Sequence, residues 1–146
     1  MEESIDEIRA RIAQDPYCAT LGIEVTALEP GYAEAELEIT PALTNFHGIP
    51  HGGAIHSLAD AACAAAANSR GEDAVALEGN ISYLDAVEVG TTLRATAEEV
   101  HTGGRTAAYE VVVAEADAGT SGDVEGDHGA DDGRIATARI RAYRLS

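Results

Sequence analysis

The chain has 146 residues with 26 acidic and nine basic side chains, which gives a formal net charge of −17 at pH 7. This length suits one domain with its own hydrophobic core. The charge argues against nucleic acid as a partner, because a polyanion would be repelled. No run of about 18 apolar residues is present, so we expect no membrane span.

Every basic residue is arginine, and the acids are spread along the chain. Because molar salt screens charges over about 3 Å, this composition predicts a halophilic protein, with an acidic mesophilic protein as the alternative. The N-terminus is acidic where a secretory signal is basic, so we expect a cytoplasmic protein. Cys18 and Cys63 are too few for a disulfide framework and are predicted to be small buried hydrophobes.

Residues 1–20 are predicted to form an N-terminal helical segment, and residues 21–146 the main domain. Ser4 and Glu7 have the spacing of a capping box, and the helix that they open must end before Pro16. Two strands follow, at 22–28 and 32–39. In the second, alanine, leucine and isoleucine alternate with glutamate, which is typical of a strand with one buried face.

A long helix is predicted from Gly52 or Gly53 to Asn68 or Ser69. It is rich in alanine and apolar nearly all round, so we expect other structure to surround it. Four more strands are predicted, at 75–84, 93–101, 106–116 and 135–145. The order predicts an α+β domain in which an antiparallel sheet of five to six strands wraps around one long central helix.

Residues 117–133 are predicted to be an acidic, glycine-rich loop between the last two strands. A calcium ion bound by its acids is an alternative, although their spacing fits no EF-hand. Among the few aromatic residues, Phe46 and Tyr83 are predicted to be core residues, with Tyr83 able to face the helix.

The segment NFHGIPHGGAIHSLAD, residues 45–60, contains the candidate chemistry. A helix that begins at Gly52 and Gly53 exposes backbone N–H groups at its positive end, and no Cβ obstructs an approaching oxygen. This is a candidate oxyanion site, with a plain tight turn as the alternative. Asp60 is a carboxylate in the middle of an apolar helix, which is costly unless it is paired or neutralised. An acid that faces a wet crevice or caps a neighbouring element is the alternative.

Burial would raise the pKa of Asp60 and make it a better general base. Asp60 is eight residues beyond Gly52, about 12 Å along a helix axis, too far to act on a carbonyl held by the Gly52 N–H. Two antiparallel helices in a symmetric dimer would bring Asp60 of one chain to Gly52 of the other. We therefore expect two composite sites per dimer and an inactive monomer.

A metal site is a further possibility that the spacing does not favour. His56 and Asp60 are four residues apart on the helix, but His47 and His51 lie on either side of Pro50 and cannot share their face. No HExxH pattern is present. We predict metal-free chemistry without a cofactor.

Several of these residues together resemble the hot-dog-fold acyl-CoA thioesterases of the PaaI type, over a stretch from about Leu21 to the C-terminus. The residues that carry this resemblance are Asn45, Gly48, His51, Gly52, Gly53, Leu58, Ala59, Asp60, Asn80, Ile81, Ser82, Tyr83, Leu84 and Gly90. The resemblance implies a sheet around a central helix, a homodimer with sites at its interface or a tetramer of two such dimers, and hydrolysis of acyl-CoA thioesters.

In this reading the Gly52 N–H, helped by Asn45, polarises the thioester carbonyl. Asp60 of the partner activates water or attacks directly through an anhydride, and His51 orients the site. Contacts with the acyl-CoA substrate are predicted for Gly53, Gly79, Asn80 and Arg105, of which Arg105, or alternatively Arg70, would meet a CoA phosphate. Many relatives carry Ser or Thr where this chain has Ala76.

Two other functions remain open on the same fold. One is a protein that binds acyl-CoA without hydrolysing it. It is an alternative because the Ser or Thr that helps hold the water in relatives is replaced by Ala76. The other is a hydratase or dehydratase of the same superfamily.

Overall fold

The computed structural model describes residues 3–116 and 133–145. The acidic loop predicted at 117–133, with its alternative as a calcium site, lies outside these residues except for its last glycine. The described helices are α1 (Ile5–Ile12), α2 (Pro16–Leu21) and α3 (Gly52–Ala67). The described strands are β1 (Glu24–Glu29), β2 (Tyr32–Glu38), β3 (Ala74–Tyr83), β4 (Thr92–Thr102), β5 (Thr106–Glu115) and β6 (Arg134–Arg144).

The N-terminal segment holds two helices where the sequence predicted one. The capping box of α1 is confirmed: the Glu7 N–H donates to Ser4 Oγ (3.1 Å) and the Ser4 N–H to Glu7 Oε1 (2.8 Å). The second helix, α2, was missed. Asp15 caps it, Pro16 occupies its first turn, and Gly22 ends it with a φ of 93°, which is the usual placement of proline and glycine at helix ends.

The six described strands form one antiparallel sheet in the order β1-β2-β4-β5-β6-β3, so β1 and β3 are the edges of the part that is described. The predicted antiparallel sheet is confirmed. The alternation in β2 places Ala33, Ala35 and Leu37 in the core. Its glutamates point to the outer face, where Arg94 donates to Glu36.

The inner face of the sheet packs on α3, most closely at β2 and β4. The buried side of α3 consists of Ala54, Ile55, Leu58, Ala59, Ala62, Cys63, Ala65 and Ala66. On its other side His56 and Ala64 are exposed, and Ser57 and Asp60 are half-buried. The predicted sheet around one long central helix is therefore confirmed, and in a single chain the side of α3 away from the sheet stays partly exposed.

Strand β3 runs back along α3 from the end of the helix to its beginning. At one end the Asn68 side chain bonds both the carbonyl and the N–H of Ala74, each at 3.0 Å. At the other end Tyr83 Oη donates to the Gly52 carbonyl (3.1 Å). Within the described part of the chain, no helix has the length and apolar character that crossing a bilayer requires.

Candidate active site

The loop before α3 is a tight, internally bonded turn that positions the start of the helix. Thr44 and Pro50 form an isolated bridge, and the Asn45 N–H donates to the Ile49 carbonyl (2.8 Å). Asn45 Oδ1 accepts the backbone N–H groups of His47 (2.9 Å) and Ile49 (3.3 Å). Its Nδ2 has no acceptor among the described residues, so the amide can donate to a ligand.

The backbone N–H groups at the start of α3 are not equivalent. The Gly53 N–H donates to His51 Nδ1 (2.8 Å), and the N–H groups of Ala54 and Ile55 donate to the His51 carbonyl. The Gly52 N–H has no acceptor within residues 3–116 and 133–145. Of the predicted glycine pair, Gly52 thus offers a free donor at the positive end of the helix, whereas the Gly53 N–H is already bonded.

Each of these glycines also has a neighbour that a side chain would crowd. A Cβ on Gly52 would lie 3.3 Å from Tyr83 Cζ, and one on Gly53 would lie 3.0 Å from His51 Nδ1. The His51 ring lies beside its own helix start because Nδ1 accepts the Gly53 N–H. A neutral imidazole that accepts at Nδ1 carries its proton on Nε2. His51 therefore acts as a helix cap and presents an N–H donor on its other side.

Asp60 lies on the half-covered side of α3, in a cleft of about 470 Å³ between that helix and the N-terminal helices. Burial is the main cause that raises its pKa above the ordinary value of 3.8; nearby His56 lowers this pKa and Asp15 raises it. No hydrogen-bond or ion-pair partner of the Asp60 carboxylate is found in the described chain. A half-buried carboxylate without a partner, facing open space, suits a general base.

The two cysteines are unsuited to nucleophilic chemistry at neutral pH. Burial raises the pKa of Cys18 to about 11 and that of Cys63 to about 12. A thiol with so high a pKa stays protonated and is neither a ready nucleophile nor a ready metal ligand. Among the residues with described positions, no group of three or more His, Cys, Asp or Glu side chains is placed to hold a metal ion.

Within one chain the structure does not bring Gly79 and Asn80 to the start of α3. Gly79 lies in the middle of the edge strand β3, where a Cβ would be 3.0 Å from Ile140 Cγ1. Asn80 pairs with Arg139 and points to the outer face of the sheet. Close packing on Ile140 is enough to explain the glycine. Ala76 is exposed on the same strand, where it pairs with Ala142.

The two candidate phosphate-binding arginines differ in their partners. Arg70 donates to both carboxylate oxygens of Glu99, at 2.8 and 2.9 Å. Arg105 Nη1 donates to Tyr143 Oη (3.3 Å) and to the Arg144 carbonyl (3.4 Å), and its guanidinium lies 5.7 Å from the centre of the Tyr143 ring. Arg105 has no carboxylate partner in the described residues. Of these two arginines, it is therefore the one whose charge is available to an anion.

The aromatic residues were predicted as core, and Phe46 contradicts this. Its side chain is 93% exposed at the tip of the loop before α3, with its ring 4.0 Å from that of His47. The turn that Asn45 closes holds Phe46 away from the protein. Tyr83 does face the helix, as predicted, but half of its surface is exposed.

Sequence reasoning missed Tyr17 and Ser57, which line the same cleft as Asp60. Tyr17 Oη and Ser57 Oγ form a hydrogen bond of 2.8 Å between α2 and α3. Ser57 precedes Asp60 by three residues, a spacing that places two side chains on one helix face and that could have drawn attention to it. Tyr17 had no such signal, because α2 was not predicted.

Comparison with known proteins defines the family. The family model described as Thioesterase superfamily matches residues 47–121. Acyl-coenzyme A thioesterase PaaI of Escherichia coli (strain K12) is 36% identical over 104 residues, which cover 71% of this chain and 74% of that protein. The 1,4-dihydroxy-2-naphthoyl-CoA hydrolase of Listeria monocytogenes is 36% identical over 97 residues, which cover 64% and 78% of the two chains.

Solved structures agree. The structure of the Escherichia coli PaaI protein from the phenylacetic acid degradation operon superposes with a TM-score of 0.80 at 28% identity, over 98% of this chain and 97% of that one. A mutant PaaI from Thermus thermophilus superposes with a TM-score of 0.75 at 34% identity, over 90% and 100%.

The chain therefore has the hot-dog fold and belongs to the thioesterase superfamily, and it is a thioester hydrolase. Within that family it is similar to PaaI acyl-CoA thioesterase, which confirms the resemblance found in its sequence.

Proposed function

We propose that this protein hydrolyses acyl-CoA thioesters at a metal-free, Asp60-dependent site shared between two copies of the chain. The observation that carries the proposal is the pair of half-sites on α3. A free N–H at Gly52 and an unpartnered carboxylate at Asp60 are separated by about 12 Å of helix, too far for both to act on one thioester.

The edge strand β3 offers a surface for the second copy. No described strand pairs with its outer edge, so backbone groups there are available to a partner strand, and Val75 (50%) and Leu77 (51%) are exposed on it. A long exposed edge with apolar side chains favours pairing with another strand. Antiparallel pairing of two β3 strands about a twofold axis forms a closed homodimer, which can pair again into a tetramer of two dimers.

The direction of β3 links this pairing to the site. Because β3 runs antiparallel to α3 within one chain, two β3 strands paired antiparallel carry their α3 helices antiparallel as well. Asp60 of each copy then lies towards Gly52 of the other. Gly79 and Asn80, in the middle of β3, would lie at this interface. We propose that they contact the substrate there.

The chemistry assigned to this arrangement follows from the donors and the acid. The Gly52 N–H and the Asn45 amide donate to the thioester oxygen as negative charge develops on it, the kind of stabilisation for which one donor can be worth about 3–4 kcal/mol. The partner's Asp60 takes a proton from water, or attacks the carbonyl itself and forms an anhydride that water then opens. When the C–S bond breaks, the CoA thiolate is protonated and the free acid remains.

The CoA end of the substrate is assigned to Arg105. The β4–β5 turn that carries it contacts the end of β6, where the Arg144 N–H donates to the Arg105 carbonyl, and β6 ends beside the start of β3. In the proposed dimer the start of one β3 lies beside Tyr83 and Gly52 of the other copy. A guanidinium there, without a carboxylate partner among the described residues, suits a phosphate of the bound CoA.

A thioesterase assay tests the function directly. Release of free CoA thiol from a panel of acyl-CoA substrates should be detected with the wild type, and Asp60→Asn should lower kcat by about 10²–10⁴-fold, the usual worth of a general base. Wild-type turnover in Asp60→Asn would refute the proposed chemistry. Binding of acyl-CoA without thiol release would favour the acyl-CoA-binding alternative, and hydration of an enoyl-CoA would favour a hydratase.

Subunit sharing has its own test. Gly52→Pro removes the N–H and leaves Asp60 intact, whereas Asp60→Asn leaves the Gly52 N–H intact. Mixed at equal amounts and reassociated, the two inactive variants should regain about one quarter of wild-type activity, since half of the dimers are mixed and each contains one complete site. No recovery, with mixed dimers shown to form by mass spectrometry, would place the whole site within one chain.

The acidic composition supports a further proposal, that this protein works in a cytoplasm of high salt. The outer glutamates of β2 lie at positions 34, 36 and 38, and Arg94 lies within 4.0 Å of the first two. Salt that screens their repulsion should stabilise the fold. We expect the midpoint of thermal unfolding to rise between about 0.1 and 2 M KCl, and an unchanged midpoint would argue for an ordinary acidic protein.

A further inference from the structure

We propose that the hydroxyl pair of Ser57 and Tyr17 holds the hydrolytic water beside Asp60, with Ser57 touching the water and Tyr17 positioning Ser57. This inference rests on the proposed function and specifies the general-base form of its mechanism. The observation that carries it is the 2.8 Å hydrogen bond between Tyr17 Oη and Ser57 Oγ in the cleft that Asp60 also lines.

Most other polar side chains in this cleft are already bonded. Asp15 Oδ1 caps α2 by accepting the Cys18 N–H (3.0 Å). Asn68 uses its amide on Ala64 and Ala74, and Arg11 donates twice to Glu3. Gln14, in the connection between the first two helices, has no described side-chain bond. A water that serves Asp60 needs two or more polar neighbours, and the hydroxyl pair supplies one.

Ser57 is the better placed of the remaining groups. It lies three residues before Asp60 on α3, so the two side chains share one helix face with their Cβ atoms about 5–6 Å apart. That separation leaves room for one water between a hydroxyl and a carboxylate. Gln14 belongs to a different segment, the connection between α1 and α2.

Tyr17 reaches Ser57 from a helix that is anchored at both ends, although the residue itself is 59% exposed. It lies in the first turn of α2, which is fixed at one end by the Asp15 cap and Pro16 and at the other by the left-handed Gly22. Two hydroxyls carry two protons and only one is spent between them, so one O–H remains to donate outward. A rotating serine without this partner would hold a water less well.

The resulting step is balanced in atoms and charge. The water accepts the spare O–H of the pair through one lone pair and donates one proton to Asp60, so its second lone pair is free to attack the thioester carbon. A C–O bond forms while the proton passes to the Asp60 carboxylate. As the C–S bond breaks, that proton passes to the CoA thiolate, which leaves the free acid, CoA thiol and an ionised Asp60.

Kinetics of Ser57→Ala, Tyr17→Phe and the double variant test the inference, with Asp60→Asn and Ser57→Thr alongside. Loss of water positioning should lower kcat about 10- to 100-fold with KM unchanged. The double variant should be no slower than Ser57→Ala alone, because the two hydroxyls act as a unit. Ser57→Thr, which keeps the hydroxyl, should recover most of the loss.

The outcomes separate the two proposals. If Ser57→Ala and Tyr17→Phe keep wild-type kcat while Asp60→Asn has lost it, the hydroxyl pair is not used and the proposed function stands. If Asp60→Asn also keeps wild-type kcat, the proposed function itself fails. A rise in KM alone, or equal losses in Ser57→Thr and Ser57→Ala, would mean that the pair only shapes the cleft, and would overturn the inference.

Discussion

The role of the Gly52 N–H at the start of α3 can be tested by a substitution that removes this N–H and changes little else. Gly52→Pro deletes the N–H at the first helical position, where proline is tolerated. His51 has φ −73° and ψ 134°, the extended conformation that residues before proline prefer. Because the Gly52 N–H has no acceptor in the described chain, no internal hydrogen bond is lost.

The matched control is Gly52→Ala, which adds the same Cβ and keeps the N–H. In both variants the new Cβ lies 3.3 Å from Tyr83 Cζ, so the ring must move by a few tenths of an ångström. Both variants also restrict the unfolded chain, which stabilises a protein by about 0.4–1 kcal/mol when the native conformation allows the new residue. The strain at Tyr83 and the change in unfolded-chain entropy are therefore nearly the same in the proline and alanine variants, and they cancel when the two are compared.

The difference between the two variants isolates the donor. Removal of one donor to a developing oxyanion costs about 2.7–4 kcal/mol. We therefore expect Gly52→Pro to turn over acyl-CoA about 10²–10³ times more slowly than Gly52→Ala, as measured by thiol release, with similar midpoints of thermal unfolding. Equal kcat values in two folded variants would refute the assignment of Gly52 as the oxyanion donor.

Three further predictions concern the acid, the helix cap and the phosphate contact. Burial raises the pKa of Asp60 in the folded protein above 3.8, so the free energy of unfolding should fall as pH rises from about 3.8 through the folded pKa. Asp60→Asn should therefore be more stable than the wild type at neutral pH and lose that advantage in acid, whereas Glu88→Gln, at an exposed position outside β2, should show no such gain in chemical denaturation. His51→Ala should lose about 1 kcal/mol of stability by urea unfolding, and His51→Asn, which retains a capping side chain, should keep most of it. Arg105→Ala should raise KM for acyl-CoA about tenfold and leave that for a phosphate-free acyl-pantetheine unchanged, whereas Arg70→Ala should leave both unchanged; the opposite pattern would move the phosphate site.

Local signals in the sequence predicted the elements that depend on them. The Ser4–Glu7 spacing predicted the first helix cap, and the alternation at 32–39 predicted a strand with one buried face, because both are decided by neighbours along the chain. The second helix was missed although Asp15, Pro16 and Gly22 mark its ends. It has six residues, too short for an apolar period to reveal.

The fold class, the family and the segment with the two half-sites could all be predicted from residue patterns along the chain, and spacing along α3 puts Gly52 and Asp60 about 12 Å apart. The folded structure was needed to show which donor is free, since His51 bonds the Gly53 N–H and leaves that of Gly52. It also decided that Phe46 points outward and that Tyr17 meets Ser57. These features depend on the direction of side chains and on contacts between distant segments, which linear spacing does not encode.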